Sequence, residues 1–131
     1  MSEHPHIAIA GSFYDALAKG DLDHLRDQLL ADDVVFHVPG RGPLARDYTG
    51  KEEVLGYLSR LAQSTSGTLR LEPERFLAGE DHVAAVLRIH GERDGRTLDD
   101  HGMQLLRITN GKISERSSFP HNPYAVDEFF A

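Results

Sequence analysis

Apolar positions in the first third of the chain recur at helical spacing. Ile7, Ala10, Phe13, Tyr14 and Leu17 share one face of a helix over residues 7–18, and Gly20 stops it. Asp21 can cap a second helix, with Leu22, Leu25, Leu29 and Leu30 as its apolar stripe and Asp32-Asp33 as its end. The β-branched run Val34 to Val38 then predicts a short strand, and Pro39, Gly40, Gly42 and Pro43 exclude regular structure after it. Thr49 and Glu52 have capping-box spacing at the head of a third amphipathic helix carrying Val54, Leu55, Leu58 and Leu61.

From Thr68 the period changes to two. Residues 68–77, 82–93, 96–109 and 112–119 predict four strands, with Asp94-Gly95 and Asn110-Gly111 as hairpin dipeptides. Val83, Ala85, Leu87 and Ile89 make one apolar face of the second of them. The apolar tail Ala125 to Phe130 is expected to form about one helical turn. The predicted order is α-α-β-α-β-β-β-β, an α+β arrangement with helices grouped before an antiparallel meander. A long twisted sheet of this kind curves around its helices, and its concave face can enclose a pocket.

Composition narrows the function classes. At 131 residues the chain is expected to form one domain, 1–131, and 40% hydrophobic with 27% charged residues is an ordinary globular balance. The absence of Cys excludes disulfides, thiolate nucleophiles and zinc ribbons. The 14 Lys and Arg against 21 Asp and Glu leave a net charge of −7, which repels phosphate backbones, so no nucleic-acid partner is expected. No apolar run approaches the ~18 residues needed to span a membrane. The N-terminal stretch lacks a basic region followed by an apolar core, so a cytoplasmic location is expected.

Five motifs occur in order: GDLDHLRDQLLADDVVFHVPG, YTGKEEVLGYL, DGRTLDDH, LLRITNGKI and FPHNP. With them the chain resembles the SnoaL-like branch of the nuclear transport factor 2-like superfamily along nearly its whole length. The resemblance implies a cone-shaped α+β barrel, three helices in a strongly curved sheet around an apolar pocket. Its members include polyketide cyclases, ketosteroid isomerase, epoxide hydrolases and pure binding modules, so function lies in the pocket residues.

By that resemblance, the catalytic Asp of ketosteroid isomerase, which precedes a Pro, falls on Val38. Its oxyanion-hole Tyr falls nearest Phe13, or on Tyr14 with an adjacent shift, and its second oxyanion-hole group falls on Gln104. Valine cannot accept a proton from carbon. The Asn of the epoxide hydrolases matches His37 before Val38-Pro39, whereas their strand-borne Arg and Asp fall on the apolar face Val83–Ile89 and their last-strand Asp on Ser118. The acid/base carboxylate of the cyclases has no acidic counterpart here.

His37 and Gln104 are the catalytic candidates. A neutral imidazole suits proton transfer near neutral pH, and an amide among apolar neighbours can polarise a ligand carbonyl. Strand parity groups Val34, Phe36 and Val38 against Val35 and His37, with apolar residues on both faces. His37 therefore either lines the pocket or lies on the outer face. Tyr14, Phe36, Tyr57, Arg116 and Ser118 are the substrate-binding candidates, with Arg116 as an anchor for an anionic group should it share an inward face with Ser118. No HExxH spacing marks a metal site, the HxH pair His4 and His6 lies at the chain terminus, and no cofactor is expected.

Two readings follow. One is a cofactor-independent lyase, isomerase or cyclase acting on a small apolar carbonyl compound. The other is a non-catalytic binder of a small hydrophobic ligand, or a dimeric accessory protein. A homodimer is expected because Ala84, Val86, Met103 and Leu105 lie on the outer sheet face.

Overall fold

Pro5 opens α1 (Pro5–Lys19), since the first turn of a helix has no use for its missing N–H, and His4 Nδ1 caps it by accepting the His6 N–H at 3.1 Å. Gly20, at φ 67, ends the helix in the left-handed conformation that glycine adopts without strain. A computed structural model describes residues 4–131; Met1, Ser2 and Glu3, which begin the stretch read for a targeting signal, lie outside them.

The second helix differs from expectation. A single turn, α2 (Leu22–His24), runs into a π turn over Leu25–Leu29, and Leu30 is already extended. Asp32 and Asp33 lie exposed inside β1 (Leu30–Val38) instead of closing a helix. Packing overrides the helical spacing here, because Leu30 and Val34 are both fully buried in the core as strand residues.

The sheet has six strands: β1, β2 (Arg46–Thr49), β3 (Arg70–Ala78), β4 (His82–Arg93), β5 (Arg96–Thr109) and β6 (Lys112–Pro120). Their spatial order is β2-β1-β6-β5-β4-β3, so among the described residues β2 and β3 are the edges of a curved open sheet, within the α+β class expected. Only β1 and β6 run parallel; the other neighbours are antiparallel. The short β2, with one apolar side chain, carries too little alternation to be read in advance. It pairs Tyr48 with Phe36 and buries Tyr48 to 1% exposure. Pro73 sits beside a register shift on edge strand β3, where its missing N–H costs no interior hydrogen bond. Both predicted hairpins form, with φ of 50° and 78° at Asp94-Gly95 and 53° and 77° at Asn110-Gly111.

Helix α3 (Gly50–Ser64) starts after Thr49 as expected, but Glu53 replaces Glu52 in the cap: its carboxylate accepts the Thr49 N–H at 3.0 Å. The apolar tail becomes a two-turn helix, α4 (Pro123–Phe130), capped by Asn122. Its last carbonyls accept from Arg93 and Arg96 of the β4–β5 hairpin. The core lies between the helices and one face of the sheet, where Val83, Ala85 and Leu87 are fully buried. The architecture is a mixed α+β fold in which helices cover the concave face that strand closure would otherwise seal.

Candidate functional site

A cavity of about 90 Å³ remains between the helices and the sheet. Phe13 and Leu17 of α1, Leu58 and Leu61 of α3, and Phe36 and Val38 of β1 form much of its wall, while Val126 and Phe130 of α4 close one side. Polar groups interrupt this apolar surface at Gln104, Arg116, Ser118 and Tyr57. Strand pairing brings the first three together, because Gln104 faces Ser118 across β5–β6 and Leu106 faces Arg116 one pleat away.

Gln104 is 5% exposed and its orientation is set from behind. The Tyr14 hydroxyl donates to Gln104 Oε1 at 2.7 Å, which satisfies the carbonyl end of the amide. The two N–H groups on Nε2 then form the donor end of the amide. Tyr14 thus stands behind Gln104 instead of lining the cavity. Burial pushes its pKa well up, opposed in part by the positive charge of Arg116, so the hydroxyl stays protonated and keeps donating.

Arg116 is 4% exposed and lines the same cavity. Its guanidinium carbon lies 4.5 Å from the Phe36 ring centroid and 5.9 Å from that of Tyr57. These rings attract the cation through their faces. The Nε and Nη2 atoms are sealed from solvent and have no hydrogen-bond partner among the described residues. Nearby carboxylates are engaged elsewhere: Glu115 bonds His37 at 2.6 Å on the opposite sheet face, and Asp100 accepts the Asn122 N–H at 3.1 Å. The Tyr57 ring stacks on Tyr48 with centroids 4.5 Å apart, and burial raises the pKa of its hydroxyl against the lowering effect of Arg116.

His37 lies outside the cavity, contrary to its role as the pocket acid/base. Phe36, 1% exposed, takes the inward position, and alternation turns His37 to the outer face, where its side chain is 37% exposed. Both ring nitrogens are occupied, Nδ1 by Asp47 of β2 at 2.8 Å and Nε2 by Glu115 of β6 at 2.6 Å. Hydrogen bonds to these two carboxylates raise its pKa above the usual 6.5. A register shift does occur in β1, but between Leu30 and Val35, so it leaves the facing of His37 to ordinary alternation. Phe36, Tyr57, Gln104, Arg116 and Ser118 therefore share the cavity, Tyr14 supports them, and His37 is separate.

Residues not singled out in advance also shape the site. Val126 and Phe130 lie on α4, which is about a turn longer than the apolar pattern predicts. Asp127 anchors that helix to the Pro39–Ala45 loop, accepting the Arg41 and Gly42 N–H groups at 3.1 Å. Asp100, 8% exposed, shares strand parity with Leu98 and Gln104, a signal that could have placed it inward. No group of three or more His, Cys, Asp or Glu among the described residues is arranged to hold a metal ion. No helix among them is long and apolar enough to cross a membrane.

The chain is similar throughout its length to uncharacterized protein Rv0034 of Mycobacterium tuberculosis, with 32% identity over 132 residues and full coverage of both chains. The solved structure of Bal32a, from a soil-derived mobile gene cassette, superposes with a TM-score of 0.93 at 26% identity, covering 97% of each chain. A cystatin-like-fold protein of unknown function from Xanthomonas campestris gives 0.90 at 31% identity, covering 95% of this chain and 97% of its own. A family profile described as a SnoaL-like domain matches residues 10–116. With that match and the shared nuclear transport factor 2-like fold, the chain belongs to the SnoaL-like family.

Proposed function

We propose that this SnoaL-like protein binds a compact, largely apolar molecule and holds one of its oxygens on the Gln104 amide. The carrying observation is the Tyr14–Gln104 hydrogen bond, which commits the amide carbonyl and leaves the amide N–H groups as donors in a largely apolar cavity. Ser118, directly across from Gln104, adds a hydroxyl to the same corner. At about 90 Å³ the hollow is smaller than the several hundred Å³ usual for drug-sized ligands, which favours a single ring or short chain over a fused polycycle.

The lining supports binding over proton-transfer chemistry. Among the described lining residues there is no carboxylate or imidazole, and Val38 occupies the position that, by resemblance, carries the isomerase base. A donor can polarise a carbonyl, but abstraction of a carbon-bound proton needs an acceptor within reach. The experiment is calorimetry with acetophenone and cyclohexanone, followed by mass spectrometry of the recovered compound. Binding with unchanged ligand is expected, and Gln104→Leu should weaken it by about tenfold, the value of one neutral hydrogen bond. Product formation by the wild type would overturn the binding reading in favour of a cofactor-independent lyase, isomerase or cyclase.

A homodimer is part of the same proposal. Val86, Met103 and Phe119 lie in register across β4, β5 and β6 on the outer face, with Met103 39% and Phe119 51% exposed. Sedimentation velocity showing only a monomer would count against it.

A further inference from the structure

Arg116 calls for a counter-ion that the described residues do not provide. A buried cation costs several kcal/mol of lost hydration unless a charge of opposite sign and hydrogen-bond acceptors replace the water. The rings of Phe36 and Tyr57 offset part of this by attracting the cation, and the Tyr57 hydroxyl lies within hydrogen-bonding reach of the guanidinium, but Nε and Nη2 keep no acceptor among the described residues. The nearest acidic side chain along the strand, Glu115, is turned outward to His37. Asp100, the buried carboxylate on the inner face, is held at Asn122 and lies 3.8 Å from His121.

A purely structural brace would be served equally well by a Met or Leu between two aromatic rings. An arginine there adds a fixed positive charge and a planar donor fork, the geometry that matches a carboxylate. Gln104 and Ser118 sit beside it in the sheet, so a ligand oxygen next to the guanidinium also comes within the same polar corner. The rest of the wall is apolar and suits the hydrocarbon part of an amphipathic acid.

We propose that the ligand is a small apolar monocarboxylate, bound as its anion with the carboxylate on the Arg116 guanidinium and the hydrocarbon body against Phe13, Leu17 and Leu61. This deepens the reading of the Gln104 cavity and rests on it. It names the charge of the ligand as well as its size.

The test compares benzoate and hexanoate with their neutral isosteres benzamide and hexanamide, by calorimetry on the intact protein near pH 7. The acids should bind at least tenfold more tightly than the amides. Arg116→Gln should remove that preference, lowering acid affinity tenfold or more while changing amide affinity less than threefold. Arg116→Lys, which keeps the charge without the fork, should retain a reduced preference. Should Arg116→Gln fail to fold, NMR of the wild-type Arg116 side-chain Nε–H supplies the readout: benzoate should shift it and benzamide should not. Equal binding of acids and amides by the wild type, or an unmoved Arg116 signal at saturating benzoate, overturns the anion proposal and leaves the cavity reading standing. Absence of binding by acids, amides and neutral ketones alike overturns both.

Discussion

On adjacent strands, Arg116 and His37 show how surroundings assign a side chain its task. Arg116 is a permanent cation among aromatic rings, while His37 is a titratable ring clasped by two carboxylates near water. The hydrogen bonds to Asp47 and Glu115 raise the His37 pKa in the folded state. The resulting stabilisation is therefore fully present below the unfolded value of about 6.5 and is lost as pH rises through the higher folded value. Urea denaturation of His37→Gln should show a loss of less than about 1 kcal/mol near pH 6, because exposure and salt screen the pair. The difference should vanish at high pH, and ligand affinity should stay at the wild-type level, since His37 lies on the face away from the cavity. Abolished binding in this variant would refute its placement outside the site.

At the scale of elements, the arrangement that bounds the cavity is the docking of α4. Asp127 holds the Pro39–Ala45 loop through backbone donors of Arg41 and Gly42, and Gly40 makes room for it. A Cβ at Gly40 would stand 2.3 Å from Asp127 Oδ1, and its φ of +101° already favours glycine. Asp127→Ala should release both segments at a cost of about 1–3 kcal/mol, the usual price of charge-assisted hydrogen bonds. Hydrogen exchange should then quicken at Arg41, Gly42 and along Pro123–Phe130, while β4 and β5 keep their protection. Unchanged exchange in the loop would show that apolar packing alone holds α4. Little of this was legible in advance: Asp127 and Gly42 are 85 residues apart, and neither short segment displays a sustained period. The long strands were legible because β4 and β5 have 12 and 14 residues of alternation bounded by strong turn dipeptides.

For the whole molecule, the decisive feature is a partly filled concavity. Core side chains from the open sheet and its helices leave a cavity between them, with Gln104, Arg116 and Ser118 on its wall. Ser118→Leu should fill this space and abolish ligand binding by calorimetry, with a thermal midpoint within a few degrees of wild type, since the added apolar volume enters an existing void. Retained binding would mean that the ligand seat lies elsewhere. The α+β class, the hairpins and the inward face of β4 were determined by the chain locally, because turn chemistry and period act over a few residues. Gln104, Arg116 and Ser118 were marked by their polarity and parity. Tertiary structure alone decided that Phe36 faces in and His37 out, that Tyr14 orients Gln104, and that Arg116 meets no acidic partner among the described residues. Those outcomes depend on which strands become neighbours and on where distant carboxylates end up, and no local pattern encodes either.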